Sequence, residues 1–327
     1  MSHLSTFTST INDISPIDFK FNPNYELTIR DHVRDLYDQF LRRPFYKFKY
    51  KTMFKGKNYP INLVLPENGM SLYSQLKQIN KCKSLKGANI LVLGCGTARY
   101  YNLYFKFNPA KIVSCDLSNF NFCWNQVLEY AKKYNITTNL SFYQSDIVNL
   151  PKEFNSSFDI IVSNAVFEHC LDLDNVLLAC KSLLKPNGVL YSSYGPLWYC
   201  FGGDHFSGKG GIQNGFNHLI LDDSQYKEYF NEYVQNDDFM TASGKNYLEA
   251  GGLTIKETLF NKLASDKYFE LYKRHNFKIR SLMVEFSKAA QLLLKNEDIK
   301  TRLLKKQPNL TADDFMIKSH YVMIENG

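Results

Sequence analysis

The sequence predicts an α/β fold built on a mostly parallel β-sheet with helices on both faces. From residue 89 onward, short apolar runs alternate with amphipathic segments, and this alternation is typical of parallel strands joined by right-handed helical crossovers. The runs are continuously apolar, as expected for strands whose two faces are both covered. The first run leads directly into a glycine turn, Gly94 to Gly96, and open parallel sheets bind ligands at that end of their strands.

Five predicted strands form the regular part of the sheet, and each is a short apolar run. They are Asn89–Leu93, Lys111–Cys115, Leu140–Gln144, Phe158–Ser163 and Val189–Tyr194. The helix after the fourth strand is expected to be capped by Asp174 and ended by Pro186-Asn187-Gly188. Two late strands, Phe277–Glu285 and Lys318–Ile324, complete the set.

The rest of the chain is interpreted as additions to this sheet. Residues 1–85 are expected to form a helical N-terminal cap, because Asp31–Leu41 carries apolar residues at helical spacing. Residues 86–327 are assigned to the main domain, with an insertion at about 195–276. That insertion begins with a glycine-rich loop, Gly202–Gly215.

Composition excludes several classes of protein. Among 327 residues, 44% are hydrophobic and 22% are charged, which is typical of a globular chain and not of a disordered one. No apolar run approaches the roughly 18 residues that a membrane span needs. The first ten residues lack the pattern of a secretory signal. Seven cysteines without a Cys-x-x-Cys pair disfavour a disulfide framework or a zinc knuckle, so we expect a reducing cytoplasmic setting and no metal.

The net charge of +7 is interpreted as a lysine-rich solvated surface. Its densest part is the stretch from Arg42 to Lys57, where basic residues are interleaved with Phe45, Tyr46, Phe48 and Tyr50. This stretch could hold an anionic substrate. We interpret it instead as a strand with one solvated face.

The glycine turn and a later acid indicate a nucleoside cofactor. Asp116 lies 20 residues beyond Gly96, at the end of the second strand, where a carboxylate can accept both hydroxyls of a ribose. Dinucleotide-binding turns have a third glycine where this chain has Arg99, and a pyrophosphate needs the close helix approach which that glycine permits. Arg99 therefore favours S-adenosylmethionine over NAD as the cofactor. A dinucleotide-dependent oxidoreductase remains the alternative function.

Together with the glycine turn and Asp116, several further motifs make residues 89–194 resemble the core of class I S-adenosylmethionine-dependent methyltransferases, especially the small-molecule branch called type 11. The matching segments are Leu93–Thr97, Asp116, Ser145–Ile147, Phe158–Asn164, Phe167–His169 and Lys185–Leu190. The resemblance covers about a third of the chain. It is specific for fold and cofactor but not for substrate.

The resemblance implies a Rossmann-like sheet of seven strands, the last one antiparallel, and S-adenosylmethionine as cofactor. The cofactor-binding residues that it implies are Gly94, Cys95, Gly96, Asp116, Leu117, Asp146, Ile147 and Asn164. In this assignment the glycine turn holds the methionine end, Asp116 holds the ribose, and Asp146 accepts the adenine amine with Ile147 beside the ring.

The chain departs from the family pattern at two positions. Val92 stands where the family often has an acid, and Ala98 where it often has glycine. A non-catalytic methyltransferase-fold binding protein is therefore kept as an alternative, because a fold does not imply a function.

Methyl transfer to a hydroxyl requires a group that takes up its proton, and histidine suits that role at neutral pH. His205 is the first candidate, because it follows Asp204 in the glycine-rich loop; an exposed loop histidine is the alternative. His169 is the second candidate, with a helix cap or a cofactor contact as its alternative. His218 begins an apolar segment and is expected to be structural.

The expected acceptor is a small molecule or a glycan-type compound, methylated at oxygen. We expect the segment from Tyr194 to Gly215 to form one wall of its pocket. Nucleic acid is not an expected partner, because Asn164 is followed by Ala165-Val166-Phe167 and not by the two prolines and aromatic residue of enzymes that methylate exocyclic amines.

Overall fold

The computed structural model describes residues 21–23, 27–50, 63–65, 69–234 and 260–327. Within these residues the chain forms one eight-stranded sheet. Its strands are β1 Leu63–Leu65, β2 Asn89–Leu93, β3 Lys111–Asp116, β4 Asn139–Gln144, β5 Phe158–Asn164, β6 Leu184–Tyr194, β7 Phe277–Phe286 and β8 Ile317–Asn326. Their order across the sheet is β1-β7-β8-β6-β5-β2-β3-β4.

The predicted fold is confirmed by strands β2 to β8. β8 pairs antiparallel with both β6 and β7, whereas the pairs among β2 to β6 are parallel. The chain moves outward from β2 through β3 to β4, and then returns to the other side of β2 with β5 and β6. The switch in direction therefore lies between β2 and β5, and the carboxyl ends of strands at such a point form a ligand-binding crevice.

Helices cover both faces of the sheet. They are α1 Ile29–Tyr37, α2 Arg43–Lys49, α3 Leu72–Cys82, α4 Tyr101–Phe105, α5 Asn121–Lys133, α6 Leu173–Leu183, α7 Asn217–Ile220, α8 Asp223–Tyr233, α9 Ser265–Arg274, α10 Lys288–Leu293 and α11 Glu297–Lys306. Alternate residues of β2 enter two different cores, because successive side chains of a strand point to opposite faces. Leu91 belongs to the same buried cluster as Leu177 of α6, and Ile90 belongs to a second cluster with Val127 of α5.

The N-terminal part of the chain, predicted as a helical cap, contains helices α1 to α3 and also one short strand. Strand β1 lies within it and pairs in parallel with β7, with Leu63 opposite Met283. The sheet thereby gains an eighth strand at its edge.

The preferred strand interpretation of the basic stretch is wrong for Arg43–Lys49, which is helix α2. A π-helical segment, Asp38–Arg42, connects it to α1. Tyr46 and Tyr50 are four residues apart and stack with ring centroids at 5.5 Å, a spacing that a helix provides and a strand does not. Residues 51–57 lie outside the described residues.

The cap of α6 also differs from its prediction. Asp172, not Asp174, caps the helix and accepts a hydrogen bond from the N–H of Asn175. Asp174 lies in the first turn of the helix and pairs with Arg274 at 2.9 Å and with His275 at 3.0 Å. Sequence spacing alone cannot tell which of these two aspartates caps the helix, because the choice depends on the ion pairs that Asp174 makes with residues distant in sequence.

The predicted insertion is described at residues 195–234 and 260–276. Its first part packs a small cluster of its own from Phe206, Tyr226, Tyr229, Phe230 and Val234. Its last part returns to the sheet through Phe260 and α9, both of which contribute to the core that contains Leu91. The domain boundaries given above remain a prediction.

Candidate functional site

The predicted site residues converge on one edge of the sheet. The glycine turn follows β2, Asp116 ends β3, Asp146 follows β4, and Asn164 ends β5. His205 lies in the loop that follows β6. Because these five strands are parallel neighbours, their carboxyl ends lie on the same side.

The glycine turn has the backbone conformation and the open space that a bound ligand needs. Gly94 and Gly96 have φ angles of 62° and 50°, which are unfavourable for other residues. A Cβ at Gly94 would lie 2.2 Å from the Val166 side chain, whereas one at Gly96 would meet nothing within 4 Å. The indole N–H of Trp124 donates to the carbonyl of Gly96 at 2.8 Å and fixes the turn. The surface over Gly96 is therefore open to a ligand while the turn beneath it is held.

Asp116 is held by backbone donors. Its Oδ2 accepts from the N–H of Gly96 at 2.8 Å, and its Oδ1 accepts from the N–H of Ser118 at 2.9 Å. Burial raises the pKa of this carboxyl, and the backbone donors partly oppose that shift. Each carboxylate oxygen can accept a second hydrogen bond, which leaves room for two ribose hydroxyls. The neighbouring Leu117 is 60% exposed, so the same edge offers apolar surface to a flat ring.

The residues that the resemblance assigns to the adenine end of the cofactor, and those next to them, make local contacts. Asp146 is half-buried and caps a short 3₁₀ helix, where its Oδ1 accepts from the N–H of Val148. Ile147 is buried in the core, so its contact with a base remains a prediction. The amide oxygen of Asn164 accepts from the hydroxyl of Ser193, its register partner on β6, at 2.6 Å. Cys95 is half-buried, and burial raises the pKa of its thiol, which keeps it neutral.

Glu168, whose side chain is buried, lies on the other side of the crevice. The sequence analysis includes it only within the motif Phe167–His169 and predicts no role for it. Its Oε1 accepts from the N–H of Gly195 at 2.9 Å, whereas its Oε2 is buried without a hydrogen-bond partner. Burial raises the pKa of this carboxyl to about 7. Its position directly before His169 was the available signal.

The two candidate histidines lie together. The ring centroids of His169 and His205 are 5.1 Å apart, and Phe260 contacts both rings at 5.0 and 4.9 Å. His205 is half-buried, with a φ of 68° that is unusual for a residue other than glycine. Its Nε2 is buried without a hydrogen-bond partner. Burial, assisted by the neighbouring His169, lowers the pKa of His205 to about 4.

The aspartate beside His205 serves a different histidine. Asp204 is fully buried, accepts from both the N–H and the hydroxyl of Ser207, and lies 3.6 Å from Nδ1 of His218. His218 is also buried and contacts the carbonyl of Trp198 at 2.7 Å, in keeping with its predicted structural role. The Asp204–His218 pair thus stabilises the loop, and His205 projects from it.

Sequence reasoning also missed the segment that returns from the insertion. The N–H of Asn261 donates to the carbonyl of Glu168 at 3.1 Å, and its side-chain amide donates to the carbonyl of Phe167 at 2.6 Å. Residues 260 and 261 therefore hold the backbone that carries Glu168 and His169. Asn261 lies more than 90 residues from Phe167 in sequence, so no local sequence pattern predicts this contact.

Comparison with known proteins agrees with this geometry. Residues 84–245 match a family model described as a methyltransferase domain. A malonyl-[acyl-carrier protein] O-methyltransferase of Halalkalibacterium halodurans is 38% identical over 113 residues, which are 33% of this chain and 39% of that protein. A ubiquinone biosynthesis O-methyltransferase of Coxiella burnetii is 29% identical over 140 residues, which are 42% of this chain and 53% of that protein.

Among solved structures, an S-adenosylmethionine-dependent methyltransferase from Mesorhizobium loti superposes with a TM-score of 0.42 and 16% identity, over 74% of this chain and 92% of that one. The chain spans about half, or less, of the length of the two curated relatives. In the part of the chain that the structure describes, no helix is both long and apolar enough to cross a membrane.

The matched residues contain the glycine turn, Asp116, Asp146 and the Glu168-His169 pair, and they form the strands on both sides of the switch point. The dinucleotide-dependent alternative is thereby set aside. Residues 84–245 therefore form a methyltransferase domain, and the strand order and motifs of the chain are those of class I S-adenosylmethionine-dependent methyltransferases.

Proposed function

We propose that this protein transfers the methyl group of S-adenosylmethionine to an oxygen of a small-molecule or glycan-type acceptor. The observation that carries the proposal is the arrangement of one sheet edge. The glycine turn and Asp116 lie on one side of the switch point, and Glu168, His169 and His205 lie on the other. The names of both curated relatives describe methyl transfer to oxygen, which supports oxygen here.

The cofactor side fits S-adenosylmethionine. The open surface over Gly96 would receive the methionine end, the carboxylate of Asp116 would accept the ribose hydroxyls, and Asp146 would accept the adenine amine. Leu117 and Asn164 would lie along the same edge. When bound, the cofactor supplies an electrophilic methyl group on a sulfonium. Val92 is buried in the core, so it supplies packing and not the polar anchor that an acid would give at that position.

The acceptor side is bounded by the loop from Tyr194 to Gly215. Phe260 lies against His169 and His205, and its ring is 5.4 Å from that of Trp198. Both rings are buried, and their packing would keep water away from that side of the two histidines. His205 is the candidate base, and His169 is the second, because their rings lie together next to Phe260 and follow the carboxyl ends of β6 and β5. Alignment of the acceptor oxygen with the methyl group would contribute about 7–11 kcal/mol to catalysis.

The test combines binding and turnover. Isothermal titration with S-adenosylmethionine and S-adenosylhomocysteine should show one site per chain, and radiolabelled methyl groups should pass to a component of small-molecule and glycan fractions. Product analysis by mass spectrometry and NMR then identifies the methylated atom. Absence of binding heat at millimolar cofactor would favour the non-catalytic alternative, and a methylated nitrogen or carbon would overturn the assignment to oxygen.

A further inference from the structure

We propose that Glu168, His169 and His205 form a binding site for one divalent transition-metal cation, with the acceptor oxygen as a further ligand. We call these three residues the Glu-His-His cluster. The inference rests on the proposed function and deepens it, because it names what activates the acceptor. The expectation of no metal came from cysteine spacing, and this cluster contains no cysteine.

The first argument is geometric. One potential ligand atom from each residue of the cluster lies within 4.8 Å of the other two. Bonds of about 2.0–2.2 Å from zinc to nitrogen or oxygen place tetrahedral ligand atoms roughly 3.4 Å apart. The three atoms would have to approach one another by only about an ångström, which side-chain rotations of His169 and His205 can supply.

The second argument is an unsatisfied buried carboxylate. Glu168 is only 1% exposed, and its Oε2 has no hydrogen-bond partner although Oε1 is held by Gly195. Nearly all buried polar groups in folded proteins have a partner, and a buried charge needs one most. His205 repeats the pattern, because its Nε2 is also buried without a partner. A cation between these groups would satisfy both at once.

The third argument is the chemistry and support of the donors. Two imidazoles and one carboxylate suit first-row divalent metals such as Mn²⁺, Fe²⁺, Co²⁺ and Zn²⁺. Three protein ligands leave coordination positions open for a substrate. Gly195 orients the carboxylate, and Asn261 fixes the backbone on which Glu168 and His169 lie. Such supporting contacts are what a metal site needs to hold its ligands in place.

In the proposed reaction, the hydroxyl of the acceptor coordinates the cation, which lowers the pKa of that hydroxyl, and its proton passes to solvent. A lone pair of the oxygen then attacks the methyl carbon, so that a C–O bond forms as the C–S bond breaks. The C–S electron pair returns to sulfur, which leaves S-adenosylhomocysteine. His205 and His169 then act as ligands, and the cation replaces them in activating the oxygen.

The test measures metal binding directly. Full-length protein freed of metal with a chelator is dialysed against Mn²⁺, Co²⁺ or Zn²⁺, and bound metal is counted by elemental analysis. Bound Co²⁺ is also followed by its visible absorption. We expect about one cation per chain. Glu168→Gln and His205→Asn should each lower the affinity at least about 10-fold, by analogy with the losses seen for weaker perturbations of metal sites.

The variants are chosen to keep the fold. Gln retains the oxygen that accepts from Gly195, and Asn tolerates the positive φ at position 205. His32→Gln, which removes an exposed histidine on α1, should bind metal as the parent does. The proposal is overturned if the parent binds no cation, or if the cluster variants bind as tightly as His32→Gln. Titration with S-adenosylhomocysteine in the presence of chelator is run in parallel, so that a failed metal site is distinguished from a failed cofactor site.

Discussion

The Oε1 atom of Glu168 accepts a hydrogen bond from the backbone N–H of Gly195 at 2.9 Å. This contact joins the segments that leave two neighbouring strands, β5 and β6, just beyond their carboxyl ends. It fixes the start of the glycine-rich loop relative to the turn that carries His169. His169 and His205, which are 36 positions apart in sequence, can therefore lie with their rings 5.1 Å apart.

Asp116→Asn should weaken binding of S-adenosylhomocysteine at least tenfold. The amide removes the charge that strengthens hydrogen bonds to the ribose, and such bonds contribute about 1.5–3 kcal/mol. Isothermal titration gives the affinity. Because Asp116 also binds the N–H groups of Gly96 and Ser118, thermal unfolding of the unliganded variant is the control for damage to the turn. Parent-like affinity in the variant would refute the ribose assignment.

Asp146→Ala should abolish discrimination between adenine and hypoxanthine. The parent is expected to bind S-adenosylhomocysteine more tightly than S-inosylhomocysteine, because the exocyclic amine that donates to Asp146 is replaced by a carbonyl. The four affinities form a double-mutant cycle, and the coupling energy should be about 1 kcal/mol or more. Since Asp146 also caps a 3₁₀ helix, a general loss of affinity is expected for both ligands. A coupling energy near zero would show that Asp146 does not face the amine.

His205→Ala should lower turnover by about 100-fold or more while leaving cofactor affinity unchanged. The expectation holds whether His205 takes the proton itself or holds a cation, because both roles act on the acceptor oxygen. Steady-state kinetics with the identified acceptor and titration with S-adenosylhomocysteine measure the two effects. Turnover equal to that of the parent would remove His205 from the catalytic machinery, and His169→Ala would then be the next variant to measure.

Gly203→Ala should disturb the segment from Tyr194 to Gly215, the proposed wall of the acceptor pocket, without changing the cofactor site. A Cβ at this position would lie 2.2 Å from the carbonyl oxygen of Trp198 and 2.4 Å from that of Leu197, so the backbone must move. We expect a loss of stability of about 1–3 kcal/mol and reduced turnover. Gly327→Ala is the matched control for denaturant unfolding, because a Cβ there would come no closer than 3.4 Å, to the carbonyl oxygen of Asn276. A Gly203→Ala variant as stable and active as this control would contradict the packing seen around the loop.

His320 should make the protein less stable in acid. It is fully buried between the hydroxyls of Tyr194 and Ser265, and burial lowers its pKa from 6.5 to about 3. Because the folded pKa lies below the unfolded one, its contribution is fully present above pH 6.5 and declines as the pH falls toward 3. One such group changes the unfolding free energy by at most about 1.4 kcal/mol per pH unit.

Denaturant unfolding between pH 7 and 4 measures this slope in the parent and in His320→Gln. The variant is expected to be less stable at neutral pH but to lose less stability on acidification. Identical slopes in the two proteins would show that folding does not lower the pKa of His320.

The strands of the sheet could be predicted from the sequence because each one is marked by a short local pattern. Continuous apolar runs such as Phe158–Ser163 identify buried strands, and the glycine turn followed by Asp116 identifies the ligand edge. Local pattern failed where a tertiary contact decided the outcome. The lysine and aromatic alternation near Tyr46 resembled a strand, but stacking of Tyr50 on Tyr46 and on Phe286 accompanies a helix there.

By itself, the sequence identified the fold class, the resemblance to class I S-adenosylmethionine-dependent methyltransferases and the positions expected to hold the cofactor, since all of these depend on short motifs placed at the ends of successive strands. Only the tertiary structure decided how the acceptor side is built. In the structure, Asp204 pairs with His218 and not with His205. The buried carboxylate of Glu168 lies beside both candidate histidines. The physical reason is that these contacts join distant segments, including Phe260 and Asn261, whose partners depend on how the insertion folds back onto the sheet.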